Sequence, residues 1–282
     1  MQSDISRLLR QRGHEVTSEG HERNILLPMS DNSELVQAFE TVLYNLMRRD
    51  SVRKALRDWA YDNRSPDNTS SQLIESYINL CRKFGDWSSF SAAANQNRYA
   101  ATFEWYVSEL LRREFAARAS GFGIRLKDAN PEDEFDCIAL LDKGLVFVEC
   151  KTGKGDLYGE IAKFMRRDAE LSATYSFFVF DRDYTFDKGQ EDAPKLSAKQ
   201  AADLDIQSIS KVTARGQEFF HINGERKLVG GRMVGRYFMA CTAFGGFESR
   251  IRYMIRYTNE VDETRIPSSD LFSVSRILFT ED

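Results

Sequence analysis

The chain has 282 residues, 42% of them hydrophobic and 29% charged, with a formal net charge of −4. This composition suits a globular protein of one larger or two smaller domains, and the acidic balance excludes a protein that coats nucleic acid by bulk electrostatics. The longest apolar runs, at residues 145–148 and 177–180, are far too short to span a bilayer, and the N-terminus lacks a basic region followed by an apolar stretch, so a cytoplasmic protein with no membrane contact is expected.

Residues 1–30 read as a weakly defined leader with a short amphipathic start (Ile5, Leu8, Leu9) and an apolar piece, Asn24 to Pro28, closed by proline. From Asp31 to Cys81 the apolar spacing is helical. Ser30 or Asp31 is placed to cap the first helix, Ser70 or Ser71 to cap a later one, and Arg64 to Ser70 forms the loop between them. The small and polar residues 84–96 mark a boundary. Beyond it lies the strongest helix of the chain, about Arg98 to Arg118, with Tyr99, Phe103, Tyr106, Val107, Leu110, Leu111 and Phe115 on one face and Glu104 beside that stripe.

A short extended piece, Ile124 to Lys127, and a turn at Pro131 lead into two apolar strands linked through Asp142-Lys143-Gly144. Asp156 is a candidate cap for a helix that carries Leu157, Ile161, Phe164 and Met165, and Tyr175 to Phe180 is a strand apolar enough to lie centrally in a sheet. Further on, Glu218 to Ile222 and Lys227 to Val229 read as a hairpin around Asn223-Gly224. Tyr237 to Ala243 starts a strand or a helix, Phe247 to Tyr257 is a basic amphipathic helix, and Leu271 to Phe279 is a last strand.

The two strands before the Asp156 helix carry the chemistry. Residues two apart on a strand share a face, so Glu149 and Lys151 project together, Glu134 and Asp136 do likewise, and a turn near Lys143 brings Asp136 beside Glu149. Charged groups on buried strands need partners. Two carboxylates with the main-chain carbonyl of Cys150 make an oxygen site suited to Mg2+ or Mn2+, and Lys151 is placed to hold or deprotonate water, if burial and metal proximity lower its pKa, and to offset charge on a phosphate. Glu104 is a further ligand, outer or to a second metal. Lys154 and Lys163 read as surface lysines that could also reach a phosphate near Lys151, Tyr158 reads either as a packing residue or as a substrate contact, and Glu134 reads as a solvent-facing strand end.

Other chemistries are disfavoured. The four cysteines, Cys81, Cys137, Cys150 and Cys241, lack metal-ligand spacing and are expected to be reduced, with Cys137 and Cys150 serving as small apolar residues on buried strands. The three histidines, His14, His21 and His221, do not cluster, which argues against a histidine zinc site or triad. Lys151 to Gly155 lacks the spacing of a phosphate-binding loop. A local basic cleft would have to draw on Arg112, Arg113 and Arg118, Lys151 and Lys154, Arg166 and Arg167, or Arg250, Arg252 and Arg256, each of which alone is a solvated face.

The order helix, three strands, helix, strand, with an acid on the second strand and Glu149-Cys-Lys151 on the third, resembles the PD-(D/E)xK nuclease superfamily over roughly Tyr99 to Phe180. Phe103-Glu104-Trp-Tyr-Val-Ser-Glu-Leu-Leu-Arg-Arg is similar to the helix of Mrr-type restriction endonucleases, and Val148-Glu-Cys-Lys-Thr-Gly153 to the third strand of CRISPR-associated ancillary nucleases. The proline usual before the acid is replaced by Phe135. The resemblance implies an α/β restriction endonuclease-like core (αβββαβ) over 96–185, and the residue patterns on either side give a mainly helical region over 1–95 for recognition, regulation or dimerisation and an α/β extension over 186–282. It implies catalysis by Glu104, Asp136, Glu149 and Lys151 on DNA, a homodimer, and a role in restriction or antiviral defence. The alternatives are a nuclease for RNA or for single-stranded or branched DNA, activated by a nucleotide signal or a partner, and an inactive nuclease fold used as a binding or interaction module.

Overall fold

The computed structural model describes residues 3–20, 25–28, 30–62, 69–84, 92–127, 129, 134–153, 157–181, 198–203, 206–229, 232–243, 245–262 and 272–277. In chain order its elements are α1 (Asp4–Gln11), β1 (Val16–Ser18), α2 (Ser33–Met47), α3 (Asp50–Asp62), α4 (Thr69–Phe84), α5 (Ala92–Glu114), β2 (Ala119–Leu126), β3 (Phe135–Leu141), β4 (Gly144–Lys151), α6 (Leu157–Leu171), β5 (Tyr175–Phe180), α7 (Ala198–Asp203), β6 (Ile206–Ala214), β7 (Gln217–Val229), β8 (Arg232–Thr242), α8 (Phe247–Asp262) and β9 (Phe272–Ile277). Among the described residues the strands form one nine-stranded sheet ordered β1-β2-β3-β4-β5-β8-β7-β6-β9. The run β2-β3-β4 is antiparallel, while β4-β5 and β5-β8 are parallel, so the sheet is mixed and the fold is α/β.

β4 and β5 are apolar almost throughout because helices cover both of their faces. On one face Phe103, Tyr106 and Leu110 of α5 and Phe247, Ile251 and Met254 of α8 pack with Cys137, Val148, Cys150 and Val179. On the other, Ile5 and Leu9 of α1 and Ile161, Phe164 and Met165 of α6 pack with Ile138, Phe147 and Phe178. A chain of rings fixes α6 to the strands. Phe135, Phe147, Phe164 and Phe178 follow one another at centroid separations of 5.6, 5.4 and 5.4 Å, and each such pair contributes about 0.5–1.5 kcal/mol beyond its burial.

Several local expectations are corrected. The first thirty residues hold α1, capped by the Ser3 hydroxyl accepting from the Ser6 N–H at 3.1 Å, and β1, which extends the sheet beside β2. Ile25, Leu26 and Leu27 are buried, with the Leu26 N–H donated to Thr102 at 2.9 Å, so this stretch is core rather than leader. Asn32, not Ser30 or Asp31, caps α2, accepting from the N–H groups of Glu34 and Leu35. Ser70 and Ser71 lie inside α4, which already begins at Thr69; residues 64–68 of the expected loop, and Asp156, are outside the described residues. α5 begins earlier than its apolar stripe suggested, at Ala92, and it stops at Glu114 rather than Arg118. There Ala116 takes a left-handed conformation (φ 52°) and the Ala117 N–H folds back on the Leu111 carbonyl.

Asn223-Gly224 is not a turn. It lies within β7, where the register shifts against both neighbouring strands, so a bulge absorbs the glycine. The turn falls instead at Arg215-Gly216, whose φ angles of 47° and 78° are those a tight two-residue hairpin requires. The segment from Tyr237 is strand β8. It sits between β5 and β7, so the sheet runs on without a break into the residues beyond 186.

One buried cation ties the N-terminal helices to the sheet. Arg53 of α3 has no solvent exposure; it donates to the carbonyls of Met47 and Ala243 and to Asp50 Oδ1 at 2.6 Å, and its Nε lies 3.9 Å from Asp181 Oδ1 at the end of β5. The second Asp50 oxygen accepts from the N–H groups of Gly245 and Gly246 ahead of α8, at 2.7 and 3.0 Å. The Arg53 guanidinium also lies 5.6 Å from the Tyr106 ring and 5.9 Å from the Phe247 ring. Removing one partner of a buried ion pair typically costs about 3–5 kcal/mol, so Arg53→Ala is expected to lower the unfolding free energy measured by urea titration by that much, and Arg53→Lys, which lacks the planar fork, to recover only a small part of it.

Candidate active site

The hairpin β3–β4 turns over Asp142-Lys143, with Leu141 opposite Gly144, and its register runs as far as Cys137 opposite Val148. One pair further on come Asp136 and Glu149. There the main-chain ladder gives way to a side chain, because the Cys150 N–H is donated to Asp136 Oδ2 at 2.7 Å. The Lys151 carbonyl accepts from the Asp181 N–H on the β5 side at 2.8 Å, and by strand alternation the N–H and C=O of Cys150 point the other way, toward β3. Asp136 is thus clamped at the splayed end of the hairpin, beside a main-chain carbonyl.

Cations from two elements meet the acids. Arg167 of α6 donates through Nη1 to both oxygens of Glu149 at 2.7 Å, and the same nitrogen is 3.8 Å from Asp136 Oδ1. Lys151 Nζ is 2.8 Å from Glu149 Oε1 and 2.8 Å from Glu160 Oε2 of α6. Glu149 is fully buried and Asp136 nearly so. Among the described residues no set of three His, Cys, Asp or Glu side chains gathers for a metal, so a cation held here draws on these two carboxylates and on main-chain or solvent oxygens. The pair nonetheless fits a compact cation, since a single charged nitrogen already lies within reach of both.

Glu104 lies partly buried on α5. Burial, and then the charges of Asp136, Glu134 and Glu149, raise its carboxyl well above the usual range, with Lys151 partly offsetting them. It therefore belongs to the same electrostatic cluster. Burial, then Glu149, push Asp136 up to about 7 against the opposing pull of Lys151 and Arg167. Burial alone would lower Lys151, but Asp136 and Glu149, together with its bonds to Glu149 and Glu160, outweigh it and leave the amine raised. Beside these acids Lys151 is held as an ammonium.

Of the expected substrate contacts, Lys154 lies outside the described residues, and Tyr158 falls in α6 with its side chain outside them. Lys163 is exposed on α6, 3.6 Å from the Glu160 that also holds Lys151. Glu134 is paired with Arg125 at 2.8 Å near the strand start, in keeping with a surface role. The candidate basic groups divide. Arg112 and Arg113 are tied to Glu109, and Arg118 is tied to Asp142 at the opposite end of β3 from Asp136. Arg252 pairs with Glu248 and lies over the Phe115 ring, whereas Arg167, expected on a solvated face, turns inward.

Sequence reasoning also missed Glu160 and the supports behind the strand ends. Asp181 accepts from the Tyr99 hydroxyl, its carbonyl accepts from Arg57 at 2.9 Å, and the Tyr61 hydroxyl is 2.8 Å from Thr152, next to Lys151. The one signal available was position. Arg167 follows Phe164 by three and Glu160 by seven residues, which puts it on the sheet side of α6.

No protein family matches the chain by sequence, and no curated protein does. Solved structures with a similar course include protein VC1899 from Vibrio cholerae, at 12% identity and a TM-score of 0.35 over 63% of this chain and 52% of that one. Another is a type III CRISPR defence DNA nuclease activated by cyclic oligoadenylate, at 17% identity and a TM-score of 0.32 over 70% of this chain and 29% of that one. The chain thus spans about half the length of the first and under a third of the second. Overlap this loose carries no chemistry across; what stands is a mixed α/β protein with a buried cluster of acids and cations where β4 and β5 end.

A carboxyl whose folded pKa is raised binds its proton more tightly when folded, so the Asp136 contribution weakens stability as pH climbs from about 4 to about 7 and is fully unfavourable above that. With chelator present, Asp136→Asn is expected to be more stable than wild type at pH 8, by at most about 4 kcal/mol at 1.4 kcal/mol per tenfold change in proton affinity, and to converge with it near pH 4. Urea titrations at the two pH values check this.

Proposed function

We propose that this protein is a Mg2+- or Mn2+-dependent nuclease of the PD-(D/E)xK type that hydrolyses phosphodiester bonds in DNA. The observation that carries the reading is the position of Arg167 Nη1, 2.7 Å from both Glu149 oxygens and 3.8 Å from Asp136 Oδ1, at the end of a strand that continues to Lys151. Two buried carboxylates on neighbouring strands already share one cationic atom there. A divalent ion would be held by Asp136, Glu149 and the Cys150 carbonyl, and when bound it supplies charge neutralisation at the phosphate and a more acidic water.

The chain's own residues do the remainder. Lys151, fixed between Glu149 and Glu160, presents an ammonium that orients water and offsets charge developing on the phosphate. Glu104 adds a carboxyl with a raised proton affinity to the same cluster, in a supporting position. Lys163, tied to Glu160, lies on the flank from which a phosphate backbone would be gripped. Restriction or antiviral defence and a homodimeric enzyme are what the superfamily resemblance implies for it.

Plasmid DNA is expected to be cleaved with Mg2+ or Mn2+ and left intact with chelator. Asp136→Ala, Glu149→Ala and Lys151→Ala are each expected to lose at least about 100-fold in rate, the scale for deleting a positioned charge or acid-base group. Because the cluster acts on phosphate and does not read the sugar, the same assay includes single-stranded DNA and RNA. Variants that cut as well as wild type, or a wild-type protein that cuts none of these substrates, overturn the reading.

A further inference from the structure

We propose that Arg167 is a resident counter-cation, a latch that holds the acid pair closed until a divalent ion displaces it and that then becomes a phosphate-binding group. This rests on the nuclease reading above and assigns that site its regulation. Glu149 has no solvent exposure, and a buried carboxylate is tolerated only with a partner. Arg167 is that partner for both of its oxygens, with Lys151 sharing Oε1.

The geometry makes the latch and the metal mutually exclusive. A divalent ion bound to Glu149 and Asp136 needs the oxygens that Arg167 Nη1 now occupies or approaches, and two cations crowded into one buried site repel strongly. The helix itself cannot yield. Phe164, one turn before Arg167, is packed between the rings of Phe147 and Phe178, and Asp168, the next residue, accepts from the Ser176 hydroxyl on β5. Displacement therefore falls to the arginine side chain alone.

A guanidinium swung off Glu149 remains in the site with its planar fork free to chelate a phosphate, the anion it suits best. Metal and phosphate then assist each other, because the metal releases the arginine and the phosphate gives it a new partner. The single-ion affinity of the empty protein is correspondingly held down.

The test is Mn2+ binding to the full-length, metal-stripped protein by calorimetry, without nucleic acid, together with the Mn2+-induced rise in Tm. Arg167→Gln is expected to bind Mn2+ about tenfold more tightly or better, as loss of a coupled buried charge contact implies, and to show a larger rise in Tm than wild type. Arg167→Lys, which keeps a charge but not the fork, is expected to fall between the two, and it serves as the decisive variant if Arg167→Gln does not fold. Equal or weaker Mn2+ binding by the variants overturns the latch and leaves the nuclease reading standing. Absence of Mn2+ binding in all three proteins overturns both.

Discussion

A carboxylate placed in an apolar interior must be given a countercharge, and the central part of this molecule is arranged around meeting that demand for Glu149. Two cations reach it from different elements, Lys151 from its own strand and Arg167 from the crossover helix α6. The helix can deliver an arginine to that spot only because its apolar face is locked to β3, β4 and β5 by Phe135, Phe147, Phe164 and Phe178. Packing sets the electrostatics here. The position of the charge is inherited from the position of the rings, and the rings are fixed by a two-faced sheet with helices on both sides.

The parts legible in the sequence were those governed by short-range periodicity. Period two put Glu149 and Lys151 on one face, a two-residue turn brought Asp136 to Glu149, and the three-to-four stripe of α5 placed Glu104 beside the core. What could not be read depends on contacts between distant segments. Arg53 and Asp181, 128 positions apart, meet only through the fold, and the helical position of Arg167, which put it on the sheet side, gave no sign of which acids it would meet. The Asn223-Gly224 pair shows the converse failure. A strong local turn signal was overridden by the pairing of β7 with strands on both of its sides, which left the glycine to a bulge.

The charge pattern also narrows how a polyanion would be gripped. Arg112, Arg113 and Arg252 are engaged with acids on neighbouring turns, and Arg118 stands at the far end of β3 from Asp136. The cations that do converge are those inside the acid cluster. A site built this way holds positive charge in reserve, already desolvated and compensated, so binding an anion there is an exchange of partners and avoids bringing a fresh charge out of water.

The ties at the end of β5 bear on how the chain can be divided. Asp181 donates its N–H to Lys151 and receives Tyr99 and Arg57, with Arg53 beside its carboxylate, while Tyr61 reaches Thr152. Three of those side chains belong to α3, well before the segment that carries the acids. A fragment starting near residue 96 would keep every acid of the cluster and still lose the groups that close the ends of β4 and β5 over it. The strand ends that carry the cluster are thus closed by side chains from well outside the segment that supplies the acids.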